Sequence, residues 1–298
     1  VATEGMGVYK LDMNKCILER YISANYQSYN EMNGDNINDV FVDESKRIWL
    51  ANYPTGITVI DYRYENYHWM KHSMGNKQSI VNDQVHAVIE DSDGDLWFGT
   101  SNGISLYNSG TGEWHSFLSS FNHQLKDKNH IFITLCEVSP GIIWAGGYTS
   151  GIYKINKADL SVEYFSPYLL SHINMRPDKY IRDMIKDSKG HIWSGGYYNL
   201  KCFDLATNSV RLYPGVSSIT AIAEKDSHNM WIGTAMGLYL LNRDSGKYEY
   251  IKLEAGSTYI NTLYQADNGL LYVGTNGAGV FIYLSLIHIS EPTRPLYI

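Results

Sequence analysis

Two short motifs near the middle of the chain contain residue types that could do chemistry. Residues 99–103 have the sequence GTSNG and match the GxSxG pattern, in which a serine on a strained turn between a strand and a helix acts as a nucleophile. A strand pattern follows Ser101 rather than a helical one, and the related stretch at 233–237 has Ala235 in the serine position. We therefore predict a hairpin turn at residues 99–103, and no hydrolase is implied.

Residues 91–95 have the sequence DSDGD and resemble the start of an EF-hand calcium loop. That loop needs glycine at its sixth position and a bidentate glutamate at its twelfth, but Leu96 and Asn102 stand there. Aspartate side chains in short turns also accept hydrogen bonds from their own backbone. The sequence thus predicts a second hairpin turn here and no calcium site.

Composition and spacing weigh against several other kinds of site. The ten histidines show no close metal-ligand spacing, so we expect no metal and no cofactor, although a zinc site assembled from distant parts of the chain stays open. Cys16, Cys136 and Cys202 lie far apart, which predicts buried free thiols. The net charge of −7 and the lack of a basic run argue against nucleic acid as a partner.

The elements that must position any site come from an internal repeat. One unit, residues 85–108, combines an apolar strand, an acidic turn, a second strand, a Gly-Thr step and a third strand. Copies of it place one aromatic anchor about every 40 to 50 residues, the period of four-stranded propeller blades. These anchors are Trp49, Trp97, Trp144, Trp193, Trp231 and Tyr272. A fourth strand can be assigned between copies, so we predict an all-β fold, a β-propeller of four-stranded blades.

Position within the repeat predicts several structural roles. The first strand of each unit is apolar on nearly every residue, as expected for a strand buried on both faces, and the anchors should pack between blades. The pairs Asn38-Asp39, Asn82-Asp83 and Arg182-Asp183 recur at the start of the innermost strand. Hydrogen bonds or ion pairs between blades are the favoured role for these pairs, and ligand binding is the alternative. Residues 5–12 match a third strand, with no first or second strand before them.

We expect the propeller to occupy residues 1–283 and to be truncated at both ends, with no signal peptide visible at Val1. Residues 284–298 continue no repeat, and residues 284–294 resemble a translated sequencing adapter, so a non-native tail is expected. A membrane span starting near Val280 is the alternative, but the apolar run is about ten residues and a span needs about 20. Contact with a membrane is expected only through segments outside this chain.

The stretches IEDSDGDLWFGTSNGISLYN (residues 89–108) and IAEKDSHNMWIGTAMGLYLLN (222–242) resemble the two-component regulator propeller repeat. That repeat occurs in the periplasmic sensor region of hybrid two-component systems of Bacteroidetes. The resemblance implies a seven-bladed propeller, usually one of a tandem pair, with an immunoglobulin-like module, a membrane span and a histidine kinase in the same full-length chain. It also implies a periplasmic location, a homodimer and, as in many members, signal transduction in response to oligosaccharides.

Departures from the repeat suggest where a binding surface was added to the scaffold. Propeller topology puts the loop between the second and third strands on the same face as the loop between blades, which here carries His123 and Lys128. Aromatic rings beside amides and hydroxyls suit a sugar, so carbohydrate binding is the expected function, without catalysis. The candidate ligand-binding residues are Tyr53, Asn102, Tyr148, Arg176, Tyr197, Tyr198 and Asn199. A propeller lyase or hydrolase acting on polysaccharide and a purely structural or dimerisation propeller are the alternatives.

Overall fold

A computed structural model describes residues 2–3, 7–12, 15, 17–22, 34–61, 66–120, 130–165, 179–253 and 258–284. The regular structure of these residues consists of 26 β-strands in seven antiparallel sheets, and no helix occurs among them. The strands of each sheet follow one another in the sequence.

Five of these sheets have four strands and two have three. The first sheet contains β1 (Ala2–Thr3), β2 (Gly7–Asp12) and β3 (Ile17–Ile22), and the second contains β4 (Ile37–Val42), β5 (Ile48–Asn52), β6 (Gly56–Asp61) and β7 (Asn66–Met70). The third contains β8 (Val85–Glu90), β9 (Leu96–Thr100), β10 (Gly103–Tyr107) and β11 (Trp114–Phe117), and the fourth β12 (Phe132–Ser139), β13 (Ile142–Gly147), β14 (Ile152–Asn156) and β15 (Ser161–Phe165). The fifth contains β16 (Ile181–Lys186), β17 (Ile192–Gly196), β18 (Leu200–Asp204) and β19 (Ser209–Tyr213). The sixth contains β20 (Ile219–Glu224), β21 (Asn229–Thr234), β22 (Gly237–Asn242) and β23 (Lys247–Ile251), and the seventh β24 (Ile260–Gln265), β25 (Leu270–Thr275) and β26 (Val280–Leu284).

The sheets fall into two compact units, divided within β16 after Ile181. In the first unit the innermost strand of each of three successive sheets contacts the next, from β4 to β8 to β12. In the second unit β20 contacts β24 in the same way. This is the packing of propeller blades, so the predicted all-β propeller of four-stranded blades is confirmed, as are its predicted fourth strands.

The repeated aromatic anchors are structural, as predicted. Each is at most 2% exposed, and Trp49 packs against Phe98 and Tyr107 of the next sheet. In three sheets the indole N–H also donates to the aspartate of the first turn of the same repeat, as in Trp97 to Asp91 at 2.8 Å. In these three sheets the turn aspartate and the tryptophan are therefore one hydrogen-bonded unit, which fixes the turn against the buried second strand.

In five of the six repeats a glycine follows the anchor by two residues, and it lets neighbouring blades approach closely. A Cβ on Gly233 would lie 2.6 Å from the Ile260 side chain of the next inner strand, and one on Gly99 would lie 2.8 Å from the Phe132 carbonyl oxygen. Side chains have no room at these positions, which accounts for the Gly-Thr step of the repeat.

Three predictions about strand placement were wrong. The short strand β1 pairs with β2, so a second strand does precede the third strand of the first repeat. The inner strand β4 is not buried on both faces as predicted, because Ile37 is buried but Val42 is 55% exposed. Among the described residues, the sheet before β4 has no inner strand. One side of β4 is therefore not packed against a neighbouring inner strand in that part of the chain. Asn82 and Asp83 precede β8 instead of opening it.

The predicted domain end needs a small adjustment. The last strand includes Leu284, one residue beyond the predicted boundary at residue 283. Such differences of one residue are usual at strand ends. The predicted tail from residue 285 onward lies outside the described residues.

Candidate ligand-binding surface

The predicted site residues that the structure describes lie on the loop between the second and third strands, and three successive sheets hold this loop in the same way. The first residue after the second strand donates its backbone N–H to a carbonyl just before the inner strand of its own blade. Tyr53 donates to Asn36, Ser101 to Gln84 and Tyr148 to Ile131, each at 2.9 Å. In the fifth sheet the direction differs, because Ser218 of the following blade donates to the Tyr197 carbonyl at 3.1 Å. Backbone hydrogen bonds thus hold this loop in each of these four sheets.

Large aromatic side chains at this loop are exposed. Tyr53 is 39% exposed, Tyr148 43%, Tyr197 51% and Tyr198 44%, whereas the regular repeats have small residues such as Ser101 at the first loop position. Exposed aromatic rings on a rigid scaffold are typical of recognition surfaces. The departures from the repeat therefore place four tyrosines at the surface rather than in the core.

In the first unit, three of the predicted residues occupy matching loops of successive sheets but have different partners. The Tyr53 ring lies 6.1 Å from the His86 ring, and the Tyr148 ring packs edge-on against Tyr180 at 5.3 Å. Asn102 uses its side-chain oxygen to accept the Ser120 backbone N–H at 3.0 Å, so it orders the loop after β11.

In the second unit, Tyr197, Tyr198 and Asn199 share one loop between β17 and β18. The two tyrosines are exposed, whereas Asn199 is half-buried and its carbonyl oxygen accepts a long hydrogen bond of 3.4 Å from the buried Lys201. Arg176, His123 and Lys128 lie outside the described residues.

A polar group that the sequence analysis missed lies beside Tyr53. His86 Nε2 is 2.8 Å from Ser101 Oγ, and the Asn38 amide nitrogen is 3.4 Å from His86 Nδ1. Asn38 and His86 both sit at β-bulges, where the pairing of the inner strand with the second strand skips one residue. In the sequence, the only signal for this pair is that Asn38 and His86 are each the second residue of an inner strand. Bulges commonly change the direction in which such side chains point.

Both motifs at residues 91–103 are hairpin turns, as predicted. Thr100 Oγ1 donates to the Gly103 carbonyl at 2.8 Å and accepts the Asn102 N–H, and β10 follows directly. Thr234 closes the matching turn of the sixth sheet in the same way. In the acidic turn, Asp91 Oδ1 accepts the backbone N–H groups of Asp93 and Asp95 at 3.0 Å.

A lysine of the next blade forms ion pairs with all three aspartates of the acidic turn. Lys157 Nζ lies 2.7 to 2.9 Å from a carboxylate oxygen of each of Asp91, Asp93 and Asp95. Burial alone would lower the pKa of Lys157, but the hydrogen bonds to these carboxylates raise it above its ordinary value. Burial would raise the pKa of Asp91, yet the bonds from Lys157 and Trp97 hold it below its usual range. Lys157 and Asp91 are therefore both charged at neutral pH.

An arginine has the corresponding role in the second unit. Arg243 is 5% exposed, stacks 5.2 Å from the Trp193 ring and bonds Asp187 Oδ2 at 2.5 Å. The same carboxylate oxygen accepts the Trp193 indole N–H at 2.7 Å. Lys157 and Arg243 both follow the third strand of a blade and reach the acidic turn of the preceding blade, so cation and turn fasten neighbouring blades.

The recurring aspartates of the inner strand also join blades, as predicted for two of the three pairs. Asp39 accepts the Val88 N–H of the next inner strand at 2.9 Å, and Asp183 accepts the Ile222 N–H at 2.6 Å. Asp83 instead accepts the His72 N–H at 2.5 Å within its loop, because its pair lies before β8. The inner-strand aspartates are thus structural in these two blades.

Asp183 gives stability a specific dependence on pH. Its carboxylate is enclosed although the residue keeps some exposed surface, and this burial raises the pKa of Asp183 to about 6 despite hydrogen bonds from Ile222 and Met184. The unfolded chain releases this proton near pH 4 and the folded chain only near pH 6. The contribution of Asp183 to the free energy of unfolding is therefore fully present below pH 4. About 3 kcal/mol of this contribution is lost as the pH rises through 6.

Asp183→Asn removes this titration. We expect the difference in unfolding free energy between wild type and variant to fall by about 3 kcal/mol between pH 4 and 7 in urea titrations. Asp267→Asn, at an exposed turn position, serves as the control and should leave the difference flat. A flat difference for Asp183→Asn as well would contradict the assignment.

Cys136 and Cys202 are buried free thiols, as predicted, and Cys16 lies outside the described residues. Burial raises the pKa of Cys202 to about 12, so its thiol stays protonated. Among the described residues, no group of three or more His, Cys, Asp or Glu side chains is arranged to hold a metal ion.

Comparison with known proteins agrees with the architecture. The two-component regulator propeller family matches at residues 79–102, which include the acidic turn and the GTSNG turn. No curated protein sequence matches the chain significantly. The chain therefore contains a two-component regulator propeller repeat.

Solved structures share the fold at low sequence identity. Extracellular domains of two B. thetaiotaomicron proteins described as hybrid two-component systems, BT3049 and BT4673, superpose with TM-scores of 0.77 and 0.64 at 19% and 18% identity. The matches cover 94% and 88% of this chain but 37% and 33% of those chains, so this chain spans about a third of their length. A catalytically inactive virginiamycin B lyase from Staphylococcus aureus, solved with quinupristin, superposes with a TM-score of 0.70 at 13% identity, over 91% of this chain and 85% of that one.

The described residues contain no helix long and apolar enough to cross a membrane.

Proposed function

We propose that this chain is the ligand-sensing propeller of an extracytoplasmic sensor in a hybrid two-component histidine kinase, and that it binds glycan-derived oligosaccharides. The observation that carries the proposal is the exposure of Tyr53, Tyr148, Tyr197 and Tyr198 at one repeated, backbone-anchored loop. Tyrosine rings can stack on the C–H faces of sugars, and neighbouring amides and hydroxyls can bond sugar hydroxyls. The repeat and the likeness to sensor ectodomains support the signalling role.

The proposed mechanism is differential binding. An oligosaccharide favours one arrangement of a sensor homodimer in the periplasm, and that bias reaches the kinase through the second propeller and the immunoglobulin-like module of the full-length chain. The propeller itself has no catalytic step in this scheme. Its rigid blades hold the tyrosines in place, so binding costs little ordering of the loop.

Calorimetric titration of the intact chain with neutral gluco-, xylo-, manno- and arabino-hexaoses and with oligogalacturonate tests the proposal. We expect at least one to bind, and Tyr148→Ala or Tyr197→Ala to weaken that binding about tenfold or more. Tyr264→Ala is the matched control, because this tyrosine is 58% exposed but lies on strand β24 and not on the loop. Binding that survives both loop variants, together with loss of self-association, would favour a purely structural propeller.

A catalytic propeller is the second candidate, favoured by the short Ser101–His86 contact and by the likeness in fold to a lyase. It predicts bond cleavage when the same oligosaccharides are incubated with the chain, detected as new masses by mass spectrometry. Turnover that is abolished by His86→Ala would establish this candidate in place of a sensor without catalysis.

A further inference from the structure

The hydrogen-bond directions around His86 decide what Ser101 can do. The Asn38 amide nitrogen donates to the Val85 carbonyl at 2.9 Å, which fixes the orientation of the amide. Its second hydrogen faces His86 Nδ1 at 3.4 Å, so Nδ1 must be the acceptor. A neutral imidazole with an accepting Nδ1 carries its proton on Nε2, and Nε2 then donates to Ser101 Oγ at 2.8 Å.

This tautomer is the wrong one for a nucleophilic serine. A general base must accept the serine proton at Nε2, as in serine hydrolases, whereas here Nε2 donates to the serine oxygen. The Ser101 hydroxyl is therefore left to donate its own hydrogen elsewhere. The arrangement suits a fixed hydrogen-bonding surface better than a catalytic pair.

The groups around this pair form a neutral recognition surface. Asn38 is exposed, with its amide oxygen as an acceptor, and the Tyr53 ring lies at 37° to the His86 ring. Ser101 supplies a donor, Asn38 an acceptor and Tyr53 an apolar face. Vicinal hydroxyls on a sugar ring offer matching donors and acceptors next to an apolar C–H face.

A second observation comes from the loop that carries Tyr53. Among the described residues, the side-chain oxygens of Asn36 and Asn52 accept no hydrogen bond, although both atoms are buried and Asn52 is only 1% exposed. These residues flank Tyr53, since Asn52 precedes it and the Asn36 carbonyl accepts its N–H. Buried acceptors without donors commonly mark a place for water or a ligand group.

We propose that Asn38, Tyr53, His86 and Ser101 form a subsite for an uncharged sugar ring at the junction of the second and third sheets. This inference rests on the proposed function and assigns it a position and a ligand chemistry. His86 acts as a positioning residue that holds the Ser101 hydroxyl, and the other three contact the sugar. An acidic sugar gains no cationic partner from these four groups.

The subsite predicts a specific pattern of affinities for the neutral hexaose that binds most tightly in calorimetry. Ser101→Ala and Asn38→Ala should each weaken binding about tenfold, whereas Ser161→Ala, at an exposed position on outer strand β15, should not change it. Unchanged affinity in both subsite variants, with weakened binding in Tyr148→Ala, overturns the subsite and leaves the proposed function standing. Failure of the wild type to bind any oligosaccharide overturns both.

Nitrogen-15 NMR of the His86 ring tests the tautomer without a ligand. We expect the proton on Nε2 in the wild-type chain. Asn38→Asp replaces the donor by a carboxylate, which should draw the proton to Nδ1, and this shift would confirm that Asn38 sets the tautomer. A wild-type ring protonated on Nδ1 overturns the inference, because Nε2 would then accept from Ser101.

Discussion

Replacement of Lys157 by alanine is expected to destabilise the folded chain by about 3 kcal/mol. The lysine is the cation that lies within 3 Å of three carboxylates, and its side chain is only 15% exposed. Its removal leaves Asp91 buried and charged beside two like charges, a larger penalty than the loss of a surface ion pair. Urea unfolding at neutral pH and low salt measures the effect.

Lys77→Ala is the matched control for that variant, because it makes the same change of charge at an exposed loop position. It should change the unfolding free energy by no more than about 0.5 kcal/mol. Added salt should restore part of the stability of Lys157→Ala, since it screens repulsion among the carboxylates. Equal effects of the two variants would show that Lys157 does not fasten the blades.

Replacement of Trp193 by alanine is expected to cost about 4 kcal/mol. The indole is completely buried, packs 5.1 Å from the Tyr213 ring and lies under the Arg243 guanidinium. Its N–H also satisfies Asp187, so alanine leaves a cavity and removes one of the donors to a buried carboxylate. Thermal and urea unfolding should both report the loss.

Trp193→Phe separates packing from hydrogen bonding. It keeps an aromatic ring against Tyr213 and Arg243, and Asp187 retains its bond from Arg243. We therefore expect a loss of about 1 to 2 kcal/mol for phenylalanine. Equal losses for alanine and phenylalanine would mean that the hydrogen bond, and not the buried ring, dominates.

The scaffold was predictable because each blade repeats the same local chemistry. Alternation of apolar strands and polar turns, with a buried tryptophan or tyrosine as the anchor of each full copy, determines the strands before any long-range contact is known. Comparison of copies also resolved the GTSNG motif, since Ala235 in a matching turn shows that the serine is not required for the turn. Copies of a repeat thus act as internal controls for one another.

Contacts between blades were not predictable in the same way. Lys157 and Asp91 are 66 residues apart in the sequence, and Asn38 and His86 are 48 residues apart. Whether these residues come into contact depends on how neighbouring blades pack against each other. Inner strand β8 begins at Val85, so His86 rather than the predicted Asn82 lies at the position that matches Asn38, and both residues lie at the same bulge. The tyrosines could be selected as departures from the repeat, but their exposure required the structure.

Hydrogen–deuterium exchange of the intact chain, with and without the hexaose that binds most tightly, tests the central claim most directly. If the sugar binds at the loops between second and third strands, exchange slows at residues 52–56, 100–103, 147–151 and 196–200 and does not change in outer strands such as β15 and β23. Protection confined to the outer strands would contradict it, as would a bound sugar that protects none of these loops.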